Sequence, residues 1–204
     1  MKKYPLLNYV GSYAQELLYE TSNSALLGIP EALKNTTQKI YAQSKLNNEA
    51  LYYLQVKTFL ETLDLDEDEV SQFMQENPNH QRLGLEIFKI LESTILEKQA
   101  QLLAKSFKYL TKKEIDDKTF NQYTYIITKL NNHLINLLQE LYFLKTNNEN
   151  PEFEFDISNP NMELVSFQFL REVESPLVLD GKTKIARYKR TDEFYHFYEN
   201  IFKD

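Results

Sequence analysis

Five cations fall within residues 182–190: Lys182, Lys184, Arg187, Lys189 and Arg190, with no acid among them. Such a run can grip the phosphates of a duplex or the acidic face of a protein. Side chains alternate across a strand, so Lys182, Lys184 and Lys189 fall on different faces and the five cannot all point one way. These five are the candidate partner or nucleic-acid contacts. The competing structural reading is a hairpin edge made basic to resist strand-to-strand aggregation.

Other chemistries are poorly served. Asp64, Asp66 and Asp68 occupy positions 1, 3 and 5 of a calcium loop, but Glu69 and Gln75 stand where that loop needs its Gly and its bidentate Glu. The acids suit a helix N-terminus better, where the helix dipole favours negative charge. Glu193 and His196 make a single Glu-x-x-His, whereas a di-iron bundle needs two such motifs and two further Glu residues on facing helices. With no cysteine, thiol nucleophiles and thiolate zinc sites are excluded. Gly11, Gly28, Gly84 and Gly181 are isolated, and no Gly-x-Ser-x-Gly turn or Gly-rich phosphate loop exists. The carboxylates lie in charge-rich stretches that would not raise a pKa. The expectation is no catalytic residue, no cofactor, no metal and no enzyme.

The elements that position the cations lie between Met162 and Phe202. That stretch reads helix, strand, Asp180-Gly181 turn, strand and aromatic helix, and Gly181 accepts the positive φ of a tight hairpin turn. The order matches the back half of a winged helix. Its would-be recognition helix, Asn161 to Leu170, offers Asn161, Glu163, Ser166 and Gln168 but no Lys or Arg, so guanine readout would be poor. Phe194, Tyr195, Phe197, Tyr198 and Phe202 on the last helix either stack on bases or pack on the body of the protein, and packing is the commoner use.

Upstream, helical periodicity predicts a short helix over 12–20, a loop near 22–30 and a helix from Glu31 to Leu63 with Leu51, Leu54, Phe59 and Leu63 inward. A capping pattern at Asp66 and Glu69 opens a helix to Glu76. Long helices follow from Gln81 to Leu110, with Ile87, Leu91, Ile95 and Phe107 inward, and, past a polar corner at TKKEIDDKT, from Thr119 to Lys145, with Leu134, Leu138, Leu141 and Leu144 inward. The Asn-rich stretch 146–161 reads as a linker, with a short edge strand around Phe153 and Phe155. The expected fold is mostly α: an antiparallel helical bundle over 1–145, a linker over 146–160 and a winged-helix-like αββα unit with one β-hairpin over 161–204. The last bundle helices are also candidates for the front half of that unit.

The chain has 204 residues and a net charge of −7, which repels nucleic acid at long range. No apolar run approaches the roughly 20 residues a membrane span needs. A cytoplasmic setting fits the missing cysteine, and no membrane partner is expected.

FLETLDLDEDEVSQFMQ, RLGLEIFKILEST, the helix carrying Lys98-x-x-x-Leu102-Leu103-Ala104-Lys105-x-Phe107, HLINLLQELYFL and the terminal IARYKRTDEFYHFYENI together resemble a bacterial, prophage-associated helical family with no assigned activity. The resemblance implies an architecture and a bacterial or phage setting, and no site residue. The leading expectation is a non-enzymatic protein-interaction module acting in phage–host conflict or regulation, with a protein partner or a second copy of itself. The alternative is a nucleic-acid-binding regulator that uses the basic hairpin 182–190.

Overall fold

A computed structural model describes residues 36–65, 67–76, 80–144, 157, 160–173 and 187–203. These form eight α-helices, one π-helical turn and one two-stranded antiparallel ladder, so the described residues are mostly α with one small antiparallel pair of strands. Two compact units divide the chain, Met1–Lys129 and Leu130–Asp204. The helix expected over 12–20, the loop at 22–30, the edge strand around Phe153 and the Asp180-Gly181 turn lie outside the described residues.

The first unit contains α1 (Thr36–Leu63), α2 (Glu67–Glu76), α3 (His80–Ser93), α4 (Glu97–Thr111) and α5 (Asp117–Lys129). α1 packs chiefly on α4, which also carries α5. Phe107 of α4 is the centre of the core, with ring centroids 6.2, 5.5 and 6.1 Å from Phe59, Phe73 and Phe120. Tilted and edge-on pairs of this kind each add about 0.5–1.5 kcal/mol beyond the apolar area they bury. Leu54, expected inward, is 54% exposed: apolar residues run round much of α1, and among its described side chains Val56, Phe59, Leu60 and Leu63 form the buried apolar seam.

The helix expected from Gln81 to Leu110 is two helices. The periodic pattern runs through the break, but the polar side chains end it. Ser93 Oγ donates to Ile90 O at 2.6 Å and Thr94 Oγ1 to Leu91 O at 2.8 Å, competing with the next backbone bonds. Gln99 then opens α4 by accepting from the Ile95 and Leu96 amides, both at 3.0 Å. Ile95 sits in this break and is 67% exposed, not inward.

The helix expected from Thr119 to Lys145 also breaks, and the second unit begins there. Leu130 and Asn131 separate α5 from α6 (Asn132–Phe143), because Asn131 Oδ1 caps the Leu134 amide at 2.9 Å. α6, expected as a bundle helix, is thus part of the C-terminal unit, and Leu144 beyond it is exposed. α7 is only Met162–Ser166, shorter than the expected Asn161–Leu170. Gln168 adopts a left-handed φ of 63° that turns the chain, and strand β1 starts at Leu170. β1 (Leu170–Val173) pairs with β2 (Arg187–Arg190), and α8 (Asp192–Phe197) continues as a π-helical turn over Tyr198–Phe202. The αββα order is present. Phe194, Phe197, Tyr198 and Phe202 are buried around Phe169, whose ring lies 5.8 Å from Phe194 and 5.1 Å from Phe197, so these rings pack in the core and are not offered to bases.

Candidate functional site

The ladder register pairs Leu170 with Arg190, Arg171 with Lys189, Glu172 with Tyr188 and Val173 with Arg187. Opposed residues share a face. Arg171, Lys189 and Arg187 therefore lie together with Val173 on one face, and Leu170, Glu172, Tyr188 and Arg190 lie on the other. Arg171 is exposed, while Arg187 and Lys189 are half-buried. Of the five cations anticipated here, Arg187 and Lys189 stand on the basic face, and Lys182 and Lys184 lie outside the described residues. Arg171 was missed because it belongs to the other strand, and only the register brings it opposite Lys189. Like charges directly opposed destabilise a ladder, so this pair carries a cost that an anionic partner would relieve.

Arg190 does something else. It is 8% exposed, and its guanidinium donates to Leu141 O and Tyr142 O, both at 3.0 Å. Those are carbonyls of the last turn of α6, where the helix itself no longer supplies donors. A cation there also meets the negative end of the helix dipole. The Tyr195 ring lies 5.1 Å from the guanidinium. As a partner contact Arg190 is thus a correction: strand alternation turns it inward, where it caps a helix.

Thr191 joins the ladder to α8. Its amide donates to Phe169 O at 3.1 Å, its hydroxyl donates to Gln168 O at 2.6 Å, and its Oγ1 caps the Phe194 amide at 3.2 Å. The end of the ladder is thereby held at both strands. Around α6 and the π-helical turn, Tyr142 stacks on Tyr198 with centroids 4.0 Å apart and planes 7° apart. The Tyr142 hydroxyl donates to Glu199, which also takes Lys203 Nζ at 3.2 Å. The bond from Tyr142, then that from Lys203, holds the Glu199 carboxyl below its ordinary value, and the same bond to Glu199 pushes the Tyr142 phenol up. Burial raises the Tyr198 phenol.

In the first unit, Glu69, Gln72, Phe73 and Glu76 of α2 face Thr111, Lys112 and Lys113 across a groove of about 360 Å³. Its charges are matched, Lys113 to Glu76 at 2.7 Å and Lys112 to Glu69 at 3.7 Å. The bond from Lys113, then that from Gln72, lowers the Glu76 carboxyl. Asp68 and Glu69 stand in the first turn of α2, as a helix start favours, and Asp66 lies outside the described residues. Glu193 is half-buried and His196 exposed on α8. Among the described residues, no three His, Asp or Glu side chains gather as a metal site, and no helix is long and apolar enough to cross a membrane.

Gln99 is another polar residue that the sequence alone does not single out. It is 2% exposed, and besides opening α4 it donates to Ile127 O at 2.9 Å and Thr128 O at 3.4 Å, tying the start of α4 to the end of α5. A buried Gln with both ends of its amide satisfied is a structural clasp. No family model, curated protein or solved structure matches this chain.

Proposed function

We propose that the chain is a non-enzymatic interaction module that docks an acidic protein surface on the basic face of its ladder, in the bacterial or phage setting to which the resemblance points. The observation that carries this reading is the shared face of Arg171, Arg187 and Lys189. Among the described residues, the three carboxylates with displaced titration, Glu76, Asp116 and Glu199, are all moved downward, opposite to the direction a general acid needs.

Nucleic acid is the second reading, because the same cations suit phosphate. Against it, α7 is five residues long and carries Glu163, so it brings no cation to a major groove. The chain's net charge of −7 also opposes a polyanion at long range. The test is a fluorescence-anisotropy titration with a labelled poly-glutamate peptide and with a random duplex, each at two salt concentrations. The peptide should bind the wild type, and the triple variant Arg171→Glu, Arg187→Glu, Lys189→Glu should lose it. Tighter binding to the duplex, with a log–log salt slope near −2.7 for roughly three neutralised phosphates, would make this a nucleic-acid-binding protein instead. Undiminished peptide binding by the triple variant would remove the ladder face from either role.

A further inference from the structure

Among the described residues the ladder also has an open edge, and its hydrogen-bond parity says which backbone groups face it. Residues of an antiparallel pair alternate between exchanging bonds and turning their amides away. Thr191 N donates to Phe169 O at 3.1 Å, and Tyr188 exchanges both of its bonds with Ile157 on the far side, each at 3.3 Å. Tyr188 therefore spends nothing on β1. Its opposite number Glu172 directs its own N–H and C=O outward, away from β2. Glu172 is exposed, and among the described residues no strand pairs with this edge of β1.

We propose that β1 is an acceptor strand: an extended acidic segment of a protein partner adds to its outer edge. This rests on the docking reading above and names its geometry. A strand added beside β1 lies about 4.8 Å away and directs every second side chain onto the face of Arg171, Lys189 and Arg187. Asp or Glu at alternate positions of that segment reaches Arg171 first and relieves its opposition to Lys189. The intervening side chains fall on the face of Glu172, where a further acid is repelled, so the preferred pattern is acid, neutral, acid. Val173, 38% exposed on the basic face, offers an apolar contact between the charges. A second copy of β1 is a poor occupant, since its own Arg171 would approach the same cations. A nucleic acid has no strand backbone with which to meet the Glu172 amide and carbonyl.

The test uses the full chain and two labelled peptides of identical composition, one alternating Glu with Thr or Val, the other with its Glu residues gathered in one block. The alternating peptide should bind at least about tenfold more tightly than the block isomer, a difference that side-chain placement along one strand creates and net charge does not. Arg171→Glu should weaken the alternating peptide by about tenfold or more. Glu172→Pro removes the outward N–H at a position whose amide the ladder does not use, and should abolish the preference while Arg187 and Lys189 remain. Should that variant misfold, alternating peptides N-methylated on either set of alternate amides test the same bonds from the peptide's side, and one phase should lose binding. Equal binding of the two isomers, sensitive to Arg171→Glu, would overturn strand addition and leave electrostatic docking standing. Failure of both peptides, with or without duplex binding, would overturn the docking reading and strand addition together.

Discussion

Replacing Arg190 by Met keeps the aliphatic stem and removes the charged cap from α6. Hydrogen bonds from a charged donor contribute about 1.5–3 kcal/mol each. Of the two carbonyls served, Leu141 belongs to a buried residue and Tyr142 to a half-buried one that water can re-bond, so one bond counts fully and the other in part. The helix-terminus charge adds about 0.3–1 kcal/mol, and the contact with Tyr195 about 0.5–1 kcal/mol. Against these, removing a buried cation recovers part of its desolvation cost. The net expectation is a loss of about 2–3 kcal/mol, or roughly 1–1.5 M in urea midpoint for an m-value near 2 kcal/mol/M. Arg190→Lys keeps the charge but not the fork, so it should recover about half. Far-UV circular dichroism in urea measures both variants, with Lys189→Met on the opposite face as the control that should stay within about 0.5 kcal/mol of wild type. If Arg190→Met falls no further than Lys189→Met, the inward placement of Arg190 and its capping role are wrong.

Gln99→Met should cost about 1–3 kcal/mol and speed amide hydrogen exchange at Ile95 and Leu96, whose donors lose their acceptor; unchanged exchange there would refute the clasp. The Tyr142–Glu199 bond makes stability depend on pH at both extremes. Glu199 titrates below its ordinary 4.5 when folded, so its contribution is present above pH 4.5 and is lost as pH falls through the lower folded value. Tyr142 titrates above its ordinary 10.0 when folded, so its contribution is present below pH 10 and is lost as pH rises through the higher folded value. Tyr142→Phe should flatten both flanks of a stability-versus-pH curve, and an acid flank as steep as wild type would rule out the bond as its source.

The helical character, the αββα order and the polar corner before α5 were legible because they rest on periodicity and on local turn chemistry. The corner is a case in point: Asp116 Oδ1 caps the Thr119 amide at 2.8 Å, a signal carried by neighbouring residues. The two helix breaks were not legible. Apolar spacing continues in phase across Thr94 and across Asn131, and only side-chain hydrogen bonds decide that the backbone turns there. The candidate site was half legible. Parity along one strand showed that five cations could not share a face, but it could not say which side was buried. That choice depends on Leu170 opposite Arg190 and on the carbonyls of α6, contacts distant in sequence. Arg171 was invisible for the same reason, since strand pairing alone places it beside Lys189.

The paired rings of Tyr142 and Tyr198 have a further consequence. The chain contains no tryptophan, so its near-ultraviolet signal belongs to tyrosine and phenylalanine. Two phenol rings held nearly parallel at 4.0 Å lie close enough for their electronic transitions to interact, so the near-ultraviolet band is sensitive to the stack. Both rings belong to the C-terminal unit. The protein therefore carries a built-in optical reporter for one of its two units, and separation of the stack would show as a change in near-ultraviolet tyrosine circular dichroism without any added label.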